Sequence, residues 1–220
     1  KNSHVIVQNP DDKAVVNSIV KVPITLIRGS GVDLSQYEYK EENNGNVKVS
    51  MACRLLKDKG VFEYIDAVKI LKQKLPNVEF ELYGDIDIHN PASLTSDDVE
   101  KIKKDGFVNV YGFSIDIEKV FCDSNIIVLP SYREGLPKVL IEAAACGRAV
   151  VTTDVPGCRD AIEPNVTGLL CEVKDIESLA RMIEKLIIDE KLRNRMGYEG
   201  RKLAEQEFDI NKVVEKHFEI

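Results

Sequence analysis

The feature that most constrains the fold is a regular alternation between short segments with a strand pattern, either apolar throughout or alternating apolar with polar residues, and longer segments with helical spacing of their apolar positions. The short segments lie at residues 46–52, 78–83, 108–111, 125–129, 149–152 and 168–171. The helical segments between and after them include 61–75, 96–104, 115–123, 157–162, 175–188 and 190–206. Strands separated by helices predict an α/β, Rossmann-like parallel sheet covered by helices on both faces. Such sheets bind ligands at the carboxyl ends of their strands.

The turn at residues 131–142 is the most informative of these strand ends. It follows 125–129, an apolar run typical of a strand buried on both faces. Pro137 has a preset φ and no amide hydrogen, so it suits the first position of the next helix. The amides of Lys138 and Val139 would then be free donors at the positive end of the helix dipole. The turn therefore predicts a phosphate site.

Two carboxylates, Glu134 and Glu142, flank this predicted anion site. An ordinary loop-to-helix junction with two solvated glutamates would produce the same pair. The buried strand, Gly135 and Pro137 favour a ligand site instead. Amides that donate hydrogen bonds to a phosphate, with a carboxylate on each side of them, suit a sugar joined to a nucleotide diphosphate.

A second loop carries cations. Arg54 and Lys59 bracket the segment between the strand at 46–52 and the helix that begins at Val61. Arginine offers a planar fork for phosphate, and lysine offers a compact charge. Two solvated cations are the alternative interpretation. The downstream turn favours a phosphate clamp.

With these residues the chain resembles the retaining nucleotide-sugar glycosyltransferases of the two-Rossmann-domain (GT-B) architecture, in the branch named family 4, or glycosyltransferase group 1. Two glutamates separated by seven residues are its hallmark, which Glu134 and Glu142 fit, and its phosphate-clamping Arg and Lys match Arg54 and Lys59. The segments at 52–60, 84–87 and 133–142 are similar to those of bacterial enzymes that build capsule, O-antigen or lipid-linked oligosaccharides.

The resemblance implies a role for each matching residue. Glu134, Gly135 and Leu136 would face the donor sugar, and Glu142 would hold the ribose hydroxyls. The diphosphate would lie against Arg54, Lys59 and the amides of Lys138 and Val139. Gly31 would lie at the hinge beside the donor cleft, and Phe113 near the nucleobase, although a core position for Phe113 is equally compatible with the sequence. The catalytic set would be Glu134, Arg54 and Lys59.

One departure from the family concerns Pro137. Many relatives have glycine there, with an amide that hydrogen-bonds the sugar, and proline has no amide hydrogen. The resemblance therefore does not extend to that hydrogen bond.

Composition narrows the class of protein. A net charge of -7 and a pI near 5.2 argue against a general nucleic-acid surface. No apolar run approaches the roughly 20 residues that span a bilayer, and no secretory signal opens the chain. The five cysteines lack a Cys-x-x-Cys pair and indicate reduced thiols. We expect a cytoplasmic protein, with peripheral contact at the inner face of the cell membrane for the full-length enzyme.

The domain organisation is predicted from the same resemblance. The chain starts at Lys1 without an initiator Met, which indicates a fragment. Residues 1–32 would be the remnant of an N-terminal acceptor domain and the hinge, and residues 33–220 the C-terminal nucleotide-sugar-binding domain. A glycan or lipid-linked acceptor would bind the missing domain, so the isolated fragment would be inactive.

The expected function is that of a hexosyltransferase that uses a nucleotide diphosphate sugar, by analogy a UDP-sugar, without a metal or other cofactor. Two other functions stay open, namely a nucleotide-sugar-binding module without turnover and a UDP-sugar epimerase of the same architecture. Asp85, Asp87 and His89 are also of the types that bind divalent metals. The family generally works without a bound metal, which disfavours that interpretation.

Overall fold

The computed structural model describes residues 4–43 and 45–220. Two strands and a helix come first, with bounds β1 Val5–Val7, α1 Pro10–Ile19 and β2 Ile24–Leu26. The remaining strands are β3 Lys48–Ala52, β4 Glu79–Tyr83, β5 Asn109–Tyr111, β6 Ile126–Leu129, β7 Ala149–Thr153 and β8 Gly168–Cys171. The remaining helices are α2 Val61–Lys74, α3 Ser96–Asp105, α4 Ile117–Asp123, α5 Lys138–Ala145, α6 Ile176–Ile188, α7 Glu190–Leu203 and α8 Ile210–Phe218.

The strands form two parallel sheets. β1 pairs with β2, and the other six have the order β5-β4-β3-β6-β7-β8. From β3 the chain proceeds outward to β5 on one side, and from β6 it proceeds to β8 on the other. The strand order therefore reverses between β3 and β6, and the crevice at their carboxyl ends is where open α/β sheets bind ligands.

Helices cover both faces of the large sheet, as the sequence predicted. Along β6, Ile126 and Val128 join an apolar cluster with α2 and α6, whereas Ile127 and Leu129 join a second cluster with α4 and α5. All four strand residues are buried. This burial on both faces explains why the run is continuously apolar instead of alternating. The predicted α/β fold class is confirmed.

Two predicted helices differ from those in the structure. Residues 157–162 form only a short 3₁₀ turn at Arg159–Ala161. Ile162 is extended, and Pro164 two residues later cannot continue a helix. The helix predicted at 190–206 ends at Leu203, continues as a π-helical turn at Ala204–Phe208, and is followed by α8, which the sequence pattern did not reveal.

Within the described ranges, 4–43 and 45–220, no helix is both long and apolar enough to cross a membrane. All five cysteines are free, and four of them are buried.

Candidate functional site

The site lies where the loops after β3 and β6 meet. Arg54 and Lys59 follow β3, and Glu134 follows β6. Because β3 and β6 are neighbouring parallel strands, these two loops leave the sheet at the same edge. The structure therefore brings together two motifs that are about 80 residues apart in the sequence.

The closest contact between the loops is an ion pair. Lys59 Nζ lies 2.5 Å from Glu134 Oε1, and the two side chains are 18% and 13% exposed. A lysine ammonium has three hydrogens to donate, so Lys59 can keep this carboxylate and still donate to another oxygen. The pair places a shielded cation at the start of the turn that was predicted to hold a sugar and a phosphate.

Main-chain contacts fix the relative position of the two loops. The Tyr132 amide and the Ser131 hydroxyl both donate to the Asp58 carbonyl, at 2.9 and 3.2 Å. Gly60 has φ 75°, and a Cβ there would lie 2.2 Å from the carbonyl oxygen of Pro130. Only glycine accepts both the left-handed conformation and this close approach. The loop that carries Lys59 is therefore packed directly on the loop that carries Glu134.

The side chain of Tyr132 adds a third link. Its hydroxyl donates to Glu63 Oε1 at 2.5 Å, from the loop after β6 to the first turn of α2. Burial, with help from Glu63, raises the pKa of Tyr132. Neither residue was singled out from the sequence, because a tyrosine and a glutamate 69 residues apart carry no local signal.

The beginning of α5 differs from the prediction by one residue. Pro137 is the N-cap, with ψ 121°, and the helix begins at Lys138. The Leu140 amide bonds back to the Pro137 carbonyl. Among the residues described here, no backbone acceptor pairs with the amides of Lys138 or Val139. The two predicted donors are therefore at the first two positions of the helix.

Glu142 lies one turn into α5 and is only 8% exposed. Lys138 Nζ approaches its Oε1 at 3.6 Å. Burial raises the pKa of the Glu142 carboxyl above its usual range, and Lys138 and the Tyr37 hydroxyl partly oppose this effect. A partly buried carboxylate of this kind can accept hydrogen bonds from two neighbouring hydroxyls.

A cleft of about 500 Å³ opens beside this loop pair at the same edge of the sheet. Of the predicted site residues, Arg54, Phe113 and Val139 line it. Phe113 is 73% exposed, so the core position is excluded. Arg54 Nη1 lies 3.1 Å from Asp87 Oδ2, a partner that was not predicted.

Three further predicted residues lie next to the turn or its support. Leu136 is buried and would contact a Cβ added at Gly29, at 2.6 Å. Gly31, with φ 78°, packs on the backbone of Ile210 at the start of α8. Gly135 faces Gln8, whose Oε1 would lie 2.6 Å from an added Cβ. The loop at 29–31 therefore contacts both the turn and the C-terminal helix.

Sequence reasoning missed Asn9, one of two residues that support the Glu134 turn. Asn9 is fully buried and donates to the Gly135 carbonyl at 2.9 Å, while it also caps α1. An Asn before Pro10 is a recognisable cap signal, but its contact with Gly135 is not. Gly157 approaches from the β7 side, where a Cβ would lie 2.3 Å from the Glu134 carbonyl oxygen.

The metal alternative has no geometric support in the described part of the chain, where no group of three or more His, Cys, Asp or Glu side chains converges. The amide of Phe113 instead donates to Asp85 at 3.2 Å, and Asp87 pairs with Arg54.

The family profile described as Glycosyl transferases group 1 matches residues 36–203. Among curated relatives, the capsular polysaccharide biosynthesis glycosyltransferase CapM of Staphylococcus aureus is 33% identical over 179 residues, 81% of this chain and 47% of that protein. An N,N'-diacetylbacillosaminyl-diphospho-undecaprenol alpha-1,3-N-acetylgalactosaminyltransferase of Campylobacter jejuni is 31% identical over 210 residues, 90% of this chain and 54% of that protein. The chain thus spans about half the length of these two relatives.

Solved structures share the fold. Sucrose-phosphate synthase from Thermosynechococcus elongatus superposes with a TM-score of 0.87 at 23% identity, over 100% of this chain and 57% of that one. HepE from Anabaena, in complex with UDP and glucose, superposes with a TM-score of 0.82 at 22% identity, over 99% of this chain and 62% of that one. Since the family profile covers well over half of the 220 residues, the protein belongs to the glycosyl transferases group 1 family.

Proposed function

We propose that this chain is the donor-binding part of a retaining, family 4 glycosyltransferase of the GT-B type. It would transfer a hexose from a nucleotide diphosphate, by analogy UDP, to an acceptor in bacterial surface polysaccharide or lipid-linked glycan synthesis. The names of the relatives CapM and the diphospho-undecaprenol transferase support this acceptor class, and the UDP held by HepE supports the donor. Residues 33–220 would bind the donor, and residues 1–32 would belong to the acceptor domain and hinge.

The observation that carries the proposal is the Lys59–Glu134 contact of 2.5 Å at the point where the strand order reverses. It joins the phosphate-clamp loop to the sugar turn with the first amides of α5 immediately beyond. In the proposed arrangement the sugar would lie at Glu134, the diphosphate at the cations and the first amides of α5, and the ribose at Glu142.

The chemistry follows from where charge develops. When the bond between the anomeric carbon and the diphosphate breaks, negative charge grows on the departing diphosphate. Lys59, Arg54 and the amides of Lys138 and Val139 would stabilise that charge more in the transition state than in the ground state. Lys59 is held by Glu134 and the two amides by the start of α5 before the reaction, so little reorganisation of these donors accompanies the step.

Glu134 would act on the sugar and not on the acceptor proton. Its carboxylate is held by Lys59, its amide donates to the Pro156 carbonyl at 3.3 Å, and its carbonyl packs against Gly157. A carboxylate fixed in this way can orient the sugar hydroxyls and stabilise the positive charge that develops at the anomeric carbon. Both same-face attack and a covalent intermediate agree with this role.

Calorimetric titration with UDP tests donor binding in this chain. We expect weak binding that Arg54→Ala and Glu142→Ala each reduce by about tenfold or more, because each removes a charged hydrogen-bond partner of the ligand. Glu184→Gln is a matched control, since Glu184 pairs with Lys74 on the other side of the molecule, at the carboxyl end of α2. The donor site would be contradicted if UDP gave no heat, or if both site variants bound UDP with the affinity of the unmodified chain.

Turnover is tested on the full-length enzyme with a panel of UDP-sugars. Release of UDP should require an acceptor, and Lys59→Ala and Glu134→Gln should each lower kcat by about two orders of magnitude or more. Formation of an epimerised free sugar without an acceptor would instead identify an epimerase.

A further inference from the structure

The donor cleft contains a carboxylate where an anionic ligand is expected. Asp87 Oδ2 lies 3.1 Å from Arg54 Nη1, and both residues line the cleft. The only other carboxylate among the lining residues, Asp85, accepts the Phe113 amide at 3.2 Å. Of the cleft's lining residues, Arg54 is the one cation, and it is already paired with an anion of the protein.

The loop that carries Asp87 is held rigidly against the Arg54 loop. The Asp87 amide donates to Ser93 Oγ at 2.9 Å, and the Leu94 amide donates to the Leu55 carbonyl at 2.8 Å. In the other direction, the Leu55 amide donates to the Asp85 carbonyl at 3.0 Å. These bonds hold the backbone of Asp87, and its carboxylate makes none of them. In the described part of the chain, the hydrogen bond that this carboxylate accepts comes from Arg54.

Carboxylates and phosphates use the same edges of a guanidinium group. The Arg54 side chain is 62% exposed and long enough to move, whereas Asp87 is 29% exposed and fixed by its loop. Asp87 accepts from the Nη1 nitrogen of Arg54, so the other nitrogens of the guanidinium can still donate to a phosphate. A nucleotide diphosphate that binds Arg54 must nevertheless approach the fixed negative charge of Asp87, and it therefore competes with Asp87 for this cation.

We propose that Asp87 is an internal competitor of the nucleotide diphosphate for Arg54, which weakens nucleotide binding and speeds the departure of the nucleotide product. This inference rests on the proposed donor site. When the nucleotide binds, Arg54 exchanges Asp87 for a phosphate oxygen, and when the nucleotide leaves, Asp87 recovers Arg54. Product release limits turnover in many enzymes, which gives such an exchange a use.

The test is the sign of one change in affinity. Asp87→Asn keeps the size of the side chain and removes its charge, and we expect UDP to bind this chain about threefold to tenfold more tightly, with a slower dissociation rate. Titration calorimetry and ligand-observed NMR exchange measure the two quantities. The gain is the logarithm of the ratio between the UDP affinities with and without Asp87→Asn. When Arg54 is already replaced by Ala, this gain should be less than half of its value in the unmodified chain.

Every other result overturns the inference. Weaker binding by Asp87→Asn would mean that Asp87 positions Arg54 for the ligand, and unchanged binding would mean that the pair has no part in recognition. An undiminished gain in the Arg54→Ala background, or an equal gain from Glu184→Gln, would reduce the effect to general charge. If unmodified chain and variant both fail to bind UDP, the proposed donor site itself fails and the inference fails with it, whereas normal binding without the gain refutes the inference alone. Thermal unfolding of each variant verifies that it is folded.

Discussion

At the scale of the residue, the site is a set of ion pairs that the free protein forms with itself. Arg54 pairs with Asp87, Lys59 with Glu134 and Lys138 with Glu142. Exposed pairs of this kind contribute little to stability, while shielded ones depend strongly on both partners. Of these three pairs, Lys59–Glu134 is the one in which both side chains are shielded from solvent.

The shielded pair predicts an asymmetry in stability. Lys59→Met should lower the free energy of unfolding by about 1–3 kcal/mol, because it leaves the Glu134 carboxylate without its partner. The double variant Lys59→Met/Glu134→Gln should recover part of that loss, as urea unfolding would measure. If the double variant is destabilised by the sum of the two single losses, the ion pair does not couple the two loops.

Glu142 predicts a dependence on pH. Its folded-state pKa is raised, so the folded protein binds a proton more readily than the unfolded chain, and the ionised carboxylate lowers stability above that raised pKa. Glu142→Gln should therefore raise the melting temperature at pH 7, and the gain should disappear as the pH falls to the usual range of a glutamate. The same variant should bind UDP more weakly at pH 7. A gain that is equal at pH 4 and pH 7 would refute this origin.

At the scale of the element, the site depends on how two loops approach each other. The loop after β3 ends at Gly60, which has a left-handed conformation and lies on the carbonyl of Pro130. The first turn of α2 then carries Glu63 to the hydroxyl of Tyr132. These contacts hold the Lys59 and Glu134 loops together independently of any ligand.

Gly60 and Gly106 form a matched pair for testing that approach. Both have φ above 70° at a helix C-cap, but a Cβ at Gly106 would meet only the Lys104 carbonyl oxygen, at 4.0 Å. Gly106→Ala should lower the free energy of unfolding by about 1–2 kcal/mol, which is the cost of the left-handed conformation. Gly60→Ala should lower it by about 2–4 kcal/mol and also weaken UDP binding, since the loops must separate. Equal losses in unfolding and unchanged UDP binding would argue against a role for the close approach.

At the scale of the whole molecule, the small sheet and the large sheet meet at the Glu134 turn. Asn9, the N-cap of α1 shortly after β1, donates to the Gly135 carbonyl, and Arg133 lies 2.9 Å from Asp12 in α1. On the far side, the Val32 amide and carbonyl bond to Phe208 and Ile210, at 2.7 and 3.0 Å. The Glu134 turn therefore contacts the N-terminal segment directly, and the loop at 29–32, which packs on the turn through Gly29, connects it to the C-terminal helix.

Asn9→Asp tests the contact between the sheets apart from the helix cap. Aspartate caps helices as well as asparagine does, but it cannot donate to the Gly135 carbonyl and would face the Asp12 carboxylate. We expect a loss of about 1–3 kcal/mol in the free energy of unfolding. Compared with the unmodified chain, the affinity for a UDP-sugar should fall more than the affinity for UDP. Stability and binding equal to those of the unmodified chain would mean that Asn9 acts only as a cap.

The sequence by itself determined the fold class and the types of residue in the candidate site, namely its carboxylates and its cations. Periodicity is a local property, so it identified β6 and α5 together with the turn between them that carries Glu134 and Glu142. It failed where local spacing was a poor guide, at the 3₁₀ turn Arg159–Ala161 and at the break between α7 and α8. Only the tertiary structure decided the partners, namely Lys59 with Glu134, Arg54 with Asp87 and Asn9 with Gly135. Those contacts join segments 33 to 126 residues apart, and their positions depend on strand order and loop packing, which no short stretch of sequence encodes.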